Sequence, residues 1–335
     1  MNRTHFPGVF ASFAAGIAIA LTAAPALVRA QATDAYPSRP IQMIVAYAPG
    51  GGTDLIARMF ARVLAKNLGP NASIVVQNKT GAGGAIGFTE LARAAPDGYT
   101  IGFINTPNVL TIPIERKVAF TWQSYDLLGN LVDDPGSFAM RKDHPVNTLT
   151  DLTAFAKANP GAVAVGTTGT GSDDHLAMLL FEKATGTKMT HVPYKGSGEV
   201  RGAIVGGEIT VAAINVGEAL AYVSAGTPIK VLGQMSAART RLAPNVPTFK
   251  DQGVDIELAA LRGMAAPKGL PEAIRRKLVE AVAKSVADPQ FQKEAEGIFS
   301  PIRFLAPAEY ARELEAAERG FRQLWTQVPW GDGKN

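Results

Sequence analysis

Two short triplets hold the residue types from which this chain could build a binding site. Gly52-Thr53-Asp54 and Gly171-Ser172-Asp173 each follow a glycine-rich stretch, and each combines a glycine, a hydroxyl and a carboxylate. Serine, threonine and aspartate cap helix N-termini, where backbone N–H groups lack intrahelical partners and the helix dipole is positive. Such a position binds anions. The sequence therefore predicts two helix starts that hold one negatively charged ligand.

Each triplet belongs to a strand–loop–helix pattern. The apolar run 41–47 predicts a buried strand, and apolar residues then recur at helical spacing until Gly69-Pro70. The short run 163–165 predicts the second strand, and a helix follows as far as Gly186. The alternation continues along much of the chain. It predicts parallel sheets with helices on both faces.

Polar residues at strand ends extend the candidate site. Ligands of open α/β sheets bind beyond the carboxyl ends of the strands. Thr106 and Asn108 follow the predicted strand 99–104, and Asn215 follows the predicted strand 209–214. The competing interpretation is that these residues supply ordinary loop polarity.

Three acidic residues stand close to the predicted anion site, where they would repel the ligand unless they have another task. Asp54, Asp173 and Asp174 could cap the helices, which stabilises a helix by about 0.5–2 kcal/mol. One of them could instead receive an ammonium or hydroxyl group of the ligand, or orient a bridging water. The sequence leaves both roles open.

Composition bounds the class of protein. With 335 residues, 47% of them hydrophobic, the chain can bury a sizeable core, most simply as two lobes. The net charge of +4 is too small and too dispersed to indicate nucleic-acid binding. The sequence contains no cysteine, which excludes disulfides, thiolate catalysis, Cys-ligated zinc and a Cys-linked lipid anchor.

The N-terminus predicts export. Arg3 and His5 precede a run of mostly small apolar residues, 9–21, and small residues suited to cleavage follow near Ala30–Ala32. We interpret residues 1–32 as a signal peptide and place the mature protein in the periplasm. The alternative is a retained transmembrane helix, but the alanine and glycine content argues against it.

Enzyme motifs are missing from the glycine loops. No loop contains the Gly-Lys-Ser/Thr triplet of a phosphate-binding loop, and residues 81–86 lack the third glycine of a dinucleotide-binding fingerprint. The Gly-x-Ser-x-Gly motif of hydrolases does not occur either. We expect no cofactor and no metal. One catalytic alternative stays open: Ser172 and His175 are near enough in sequence to form a nucleophile and its base.

Several motifs, taken together, resemble a known family. They are Tyr36-Pro37-Ser38-Arg39-Pro40-Ile41, Ala48-Pro49-Gly50-Gly51, Pro96-Asp97-Gly98-Tyr99-Thr100, His191-Val192-Pro193-Tyr194-Lys195-Gly196 and Ala266-Pro267-Lys268-Gly269. The chain is similar, over nearly all of its predicted mature length, to the extracytoplasmic receptors of tripartite tricarboxylate transporters, also called Bug receptors. The resemblance implies an α/β type II periplasmic binding protein, with two α/β lobes joined by a two-strand hinge and a ligand cleft between them.

The resemblance also implies boundaries and contacts. Lobe 1 would comprise residues 33–137 plus 260–335, and lobe 2 residues 138–259. In the family, the loop after the first strand and the glycine loop of the second lobe hold a carboxylate through backbone N–H groups and waters. Together with the strand ends, this gives as ligand-binding residues Tyr47, Ala48, Pro49, Gly50, Gly51, Thr53, Asp54, Thr106, Asn108, Thr168, Gly169, Thr170, Gly171, Ser172 and Asn215.

The chain departs from the family at two places. Leu261 replaces a common tryptophan before Arg262-Gly263, and Asn105-Thr106-Pro107-Asn108 replaces a Ser/Thr-rich run. The second change affects the distal pocket, so the resemblance does not identify the ligand.

The expected function is a periplasmic receptor without enzymatic activity. It would capture a small carboxylate (a di- or tricarboxylate, an aromatic carboxylate or an acidic amino acid) and deliver it to the permease subunits of a tripartite transporter. We expect a monomer. The alternatives are an exported hydrolase that uses Ser172 and His175, and a sensor subunit that presents a ligand to a signalling receptor.

Overall fold

The structure, a computed structural model, describes residues 36–331. The predicted signal peptide, residues 1–32, lies outside the described residues. Within the described residues, the chain from Pro37 to Gly331 forms one compact unit. The predicted lobe boundaries, 33–137 with 260–335 and 138–259, stay a prediction. In the described part of the chain, no helix is both long and apolar enough to cross a bilayer.

The first part of the chain alternates strands and helices, and the elements as far as residue 105 were predicted. The elements are β1 (Ile41–Val45), α1 (Gly52–Leu68), β2 (Ile74–Asn78), α2 (Ala85–Arg93), β3 (Thr100–Asn105) and α3 (Asn108–Glu115). Strand β1 pairs in parallel with both β2 and β3. Helix α1 buries Ile56, Phe60 and Leu64, which recur every four residues and so share one face.

A 17-residue strand, β4 (Tyr125–Arg141), opens the second part of the chain. It is followed by α4 (Leu149–Ala158), β5 (Ala164–Thr167), α5 (Asp173–Thr185), β6 (Thr190–Pro193), α6 (Ser197–Gly206), β7 (Val211–Asn215), α7 (Val216–Ser224) and β8 (Ile229–Gln234). The chain then forms β9 (Ala259–Pro267), α8 (Glu272–Val286), α9 (Pro289–Gly297), β10 (Ile302–Leu305) and α10 (Pro307–Gln327).

Strands β4 and β9 hold the centre of the sheet. The strand order is β2-β1-β3-β9-β4-β7-β5-β6, with β8 and β10 also paired to β4. Strands β4 and β9 are antiparallel to each other, whereas β1–β3 on one side and β5–β7 on the other form parallel groups. In register, Asn105 at the end of β3 lies opposite Arg262, and Asn215 at the end of β7 lies opposite Gly136. The carboxyl ends of β3 and β7 therefore lie beside the β4–β9 pair.

Three elements near this centre were not predicted from the sequence. Strand β4 contains Gly129, Pro135 and Gly136, residues that indicate turns rather than a long strand. Helix α3 contains Pro113, which indicates a helix break. Helix α7 begins directly after β7 with no separating turn. In each case tertiary packing outweighs the local preference.

The β5–β7 side has a well-packed aromatic core. Phe138 of β4 lies edge-to-face against Phe181 of α5, with ring centroids 5.4 Å apart, and against Phe249 at 5.2 Å. All three rings are fully buried. Such pairs contribute about 0.5–1.5 kcal/mol each beyond the area they bury. This packing fixes the positions of β4 and α5, and therefore of the residues at their ends.

Candidate functional site

A buried polar cavity, called here the central cavity, lies beside the β4–β9 pair. Its volume is about 30 Å³, which is room for about two water molecules. Every lining residue except Thr168 is buried. The lining residues are Tyr47, Gly51, Gly52, Thr53, Asn105, Thr106, Asn108, Thr168, Asp173, Gly196, Ser197, Asn215, Glu218, Ala260 and Arg262.

Residues of both predicted loops line this one cavity. Seven of the fifteen predicted ligand contacts do so: Tyr47, Gly51, Thr53, Thr106, Asn108, Thr168 and Asn215. The other eight are not among its lining residues: Ala48, Pro49, Gly50, Asp54, Gly169, Thr170, Gly171 and Ser172. Most of these eight take part in the hydrogen bonds and close packing described next, which fix the loops.

Asp54 holds the first loop in shape. Its carboxylate accepts hydrogen bonds from the Gly50 N–H (2.9 Å), from Arg58 Nε (3.1 Å) and from Asn78 Nδ2 (2.9 Å). Burial acts to raise the pKa of Asp54, but these hydrogen bonds outweigh it and hold the pKa below its usual value. Of the two roles left open for Asp54, these contacts match the structural one.

The first loop is also bound to the opposite side of the cavity. The Ala48 N–H donates to the Lys195 carbonyl oxygen at 3.1 Å. The Tyr222 hydroxyl donates to the Gly50 carbonyl oxygen at 3.2 Å. Main-chain groups of residues 48–50 are therefore engaged by residues that precede α6 or lie in α7.

The N-terminus of α1 is occupied by a carboxylate of the chain itself. Glu218, in the first turn of α7, accepts a hydrogen bond from the Gly52 N–H through Oε1 at 2.7 Å. A Cβ atom at position 52 would lie 2.4 Å from the same oxygen, so the approach requires glycine. The sequence predicted an anion at this helix start. The structure places one there, but it is a side chain 166 residues away rather than a ligand.

Arg262 is the buried cation of the site. Its guanidinium pairs with Asp134 at 3.1 Å and with Glu218 at 3.2 Å, and it donates to Asn215 Oδ1 at 3.0 Å. Burial raises the pKa of Asp134 to about 7; the Arg262 charge opposes the rise and the Glu218 charge adds to it. The Arg262 guanidinium therefore forms ion pairs with two buried acidic side chains.

Asn215 connects this ion group to the second loop. Its Nδ2 donates to Asp173 Oδ2 at 2.7 Å, while its Oδ1 accepts from Arg262. Burial raises the pKa of Asp173 to about 6. Asp174 accepts from the Thr168 N–H at 3.1 Å and from its hydroxyl at 2.6 Å. Asp174 therefore braces the second loop, and Asp173 lines the cavity.

Ser172 and His175 are not arranged as a nucleophile and its base. Ser172 Oγ accepts from the backbone N–H of His175 at 3.2 Å, as a helix cap, and His175 Nδ1 accepts from the Gly171 N–H at 3.2 Å. The His175 ring stacks on His191, with centroids 3.7 Å apart. Burial, with a smaller contribution from His191, lowers the pKa of His175 to about 3. The imidazole acts here as a neutral acceptor that shapes the loop.

The glycines of the second loop allow close packing against the other side of the cavity. Gly169, at φ +123°, lies so near Gly83 that a Cβ atom at position 169 would be 2.9 Å from the Gly83 Cα. The carbonyl oxygen of Gly171 accepts from Thr111 Oγ1 at 2.6 Å. A Cβ atom at position 171 would lie 3.2 Å from the Trp330 ring.

Sequence reasoning missed three charged residues of the site, Arg262, Glu218 and Asp134. Arg262 was noted only as part of a motif, and Glu218 and Asp134 were not considered. Glu218 does carry one signal, because it stands three residues after the predicted strand end at Asn215. Asp134 lies in the unpredicted strand β4, and its contact with Arg262 spans 128 positions of the sequence, which no local pattern indicates.

Known proteins resemble the chain in sequence and in fold. The family model for the tripartite tricarboxylate transporter family receptor, TctC, matches residues 56–301. A relative from Agrobacterium vitis, described as the "UPF0065 protein in the TAR-I ttuE-ttuC' intergenic region", is 35% identical over 283 residues, or 82% of this chain and 79% of the relative.

Two solved structures illustrate the likeness in fold. The periplasmic binding protein BugD has a TM-score of 0.83 and 29% identity, and the match covers 88% of this chain and 99% of BugD. Rpa4515 of R. palustris, solved with adipate, has a TM-score of 0.82 and 26% identity, and the match covers 87% and 97% of the two chains.

Proposed function

Because the chain belongs to the tripartite tricarboxylate transporter receptor family and has the fold of periplasmic binding proteins, we propose that it captures a small carboxylate and delivers it to a tripartite membrane transporter. Family and fold are those of solute-binding receptors rather than of enzymes. We propose further that the ligand is a small carboxylate, that the signal peptide is cleaved, that the partners are the permease subunits of the transporter, and that the protein is a monomer.

One observation carries the proposal: the two helix-start loops, more than 100 residues apart, line the same buried polar cavity. Gly51 and Thr53 come from one loop, and Thr168 and Asp173 from the other. The hydroxyls of Thr53, Thr106 and Ser197 add side-chain donors to the same cavity. The adipate bound to Rpa4515 supports a carboxylate as the ligand class.

The energetics are reasonable for a receptor. Micromolar affinity corresponds to about −8 kcal/mol. Several hydrogen bonds to a charged carboxylate, at about 1.5–3 kcal/mol each, reach that value after the costs of immobilisation. A cavity of about 30 Å³ is smaller than any diacid, so the two sides must separate to admit the ligand and close around it.

Titration calorimetry of the purified protein with C4–C6 mono-, di- and amino-dicarboxylates tests the ligand class. We expect at least one to bind with micromolar affinity, and an ester or amide panel to show no turnover. If no carboxylate binds, or if esters or amides are hydrolysed, the proposed function is wrong.

A glycine variant tests the location. Gly51→Asp adds a negative charge to the cavity wall, and its Cβ would lie 2.9 Å from Ser197 Oγ. We expect it to abolish carboxylate binding while the far-UV circular dichroism stays unchanged. Gly202→Asp is the matched control, because position 202 is exposed and a Cβ atom there has no neighbour within 4 Å. Unchanged affinity in Gly51→Asp would place the site elsewhere.

A further inference from the structure

Two buried side chains of the central cavity each leave an oxygen atom without a partner among the described residues. Asn105 donates Nδ2 to Thr53 Oγ1 at 2.9 Å, and its Oδ1 accepts no hydrogen bond. Glu218 binds Gly52 and Arg262 through Oε1, and its Oε2 accepts none. Asn105 is 4% exposed and Glu218 8%. Buried acceptors of this kind need a hydrogen-bond donor.

The charges of the cavity favour a donor that is also a cation. Arg262 is the one lysine or arginine among the described residues that line the cavity, and both Asp134 and Glu218 already share it. Asp173 lines the cavity as a second carboxylate and has only the neutral Asn215 as its side-chain partner. A plain dicarboxylate would bring two more negative charges beside these acids.

We propose that the ligand is a small amino carboxylate whose protonated amine is bound by Asp173 and Glu218, with the Asn105 carbonyl as a further acceptor. This inference rests on the proposed function and specifies its ligand. An ammonium group offers three donors, which suits three separate acceptors. The ligand carboxylate is then left to the hydroxyls of Thr53, Thr106 and Ser197, which line the same cavity.

Proton exchange on binding distinguishes the two ligand classes. Burial holds the pKa of Asp173 at about 6. An ammonium beside this carboxyl lowers its pKa, so binding at pH 6 releases protons; a plain diacid raises the pKa, so binding takes protons up. Calorimetry in two buffers of different ionisation enthalpy measures the sign.

The test compares ligands that differ only by the amine. The purified protein is titrated with succinate and L-aspartate, and with glutarate and L-glutamate. We expect the amino member of at least one pair to bind tenfold or more tightly than its partner, with proton release. Equal or tighter binding of the plain diacids overturns the inference, but it agrees with the proposed function as a carboxylate receptor. Binding of none of the four overturns the inference, and the wider C4–C6 carboxylate panel then decides the proposed function.

Isosteric variants locate the amine site. Asp173→Asn and Glu218→Gln remove the charges with little change of shape, and we expect either to reduce the amine preference to threefold or less. Asp255→Asn is the control, because the Asp255 side chain is 79% exposed and its one ion pair within the described part of the chain is with Lys250, at 3.6 Å. Circular dichroism verifies folding, and Asp173→Asn decides alone if Glu218→Gln does not fold. A preference unchanged in Asp173→Asn overturns the assignment.

Discussion

Replacing Arg262 by methionine should destabilise the protein strongly, and more so at higher pH. Arg262 is 2% exposed and faces two carboxylates, at 3.1 Å and 3.2 Å. Removal of one partner from a buried ion pair costs about 3–5 kcal/mol, because the remaining charge stays buried. This is a large share of the 5–15 kcal/mol by which native proteins are usually stable. Urea unfolding at pH 8, followed by circular dichroism, measures the loss.

The pH dependence follows from Asp134. Its pKa is raised from 3.8 to about 7, so the stability this group contributes is full below pH 3.8 and is lost as the pH rises through 7. Without the Arg262 charge its pKa rises further, so the variant loses more above pH 7. At pH 5.5 the carboxyl is protonated in both proteins. The difference between wild type and Arg262→Met should therefore shrink from pH 8 to pH 5.5.

Two further variants test whether the loss of stability in Arg262→Met comes from its buried carboxylate partners. Arg275→Met removes a guanidinium whose side chain is 40% exposed and pairs with Glu272, and it should cost no more than about 0.5 kcal/mol. Adding Asp134→Asn to Arg262→Met removes the stranded charge and should recover part of the loss, which a double-mutant cycle measures. A cost for Arg262→Met as small as that of Arg275→Met, or one that grows on acidification, would refute the account.

Three further predictions concern the loops and one helix start. Gly169→Ala should push the second loop away from Gly83 and lower the ligand affinity measured by calorimetry at least tenfold. Gly226→Ala is the control and should leave the affinity unchanged, because Gly226 also has a positive φ but a Cβ atom there has no neighbour within 4 Å. Equal losses of affinity in both variants would mean that backbone strain alone causes the effect. His175 should stay neutral down to about pH 4 in an NMR titration of its ring, because burial lowers its pKa to about 3. A titration curve with its inflection near pH 6.5 would contradict the buried position of the ring. Thr148→Ala removes the cap of α4 and should cost about 1 kcal/mol in urea unfolding, whereas no change would mean that the capping box contributes nothing.

The sequence predicted the parts of the site that local chemistry determines. The starts of α1 and α5 carry their own signals, a glycine loop, a capping residue and apolar residues at helical spacing, and both helices lie within one or two residues of the predicted positions. Strand ends at Asn105 and Asn215 were also placed correctly, because apolar runs end there.

The sequence could not predict how charges meet in the centre. The Gly52 N–H group looks free when α1 is considered alone, and only the packing of α7 brings Glu218 to it. Strand β4 brings Asp134 to Arg262 although its glycines and proline indicate turns, because pairing with β9 along most of its length compensates for them. These contacts join residues more than 100 positions apart in the sequence, and the periodicity of apolar residues does not predict contacts at that separation.

The hydrogen bonds across the cavity have a consequence for kinetics. The bonds Ala48 to Lys195, Tyr222 to Gly50 and Thr111 to Gly171 join segments that follow strands β1 and β3 to segments that follow strands β5, β6 and β7. If the two sides separate to admit a solute as proposed, all three bonds open, and at about 1 kcal/mol each they add about 3 kcal/mol to that step. This slows entry and exit alike, on the order of a hundredfold. The residence time of the cargo would then depend partly on hydrogen bonds that the chain makes to itself.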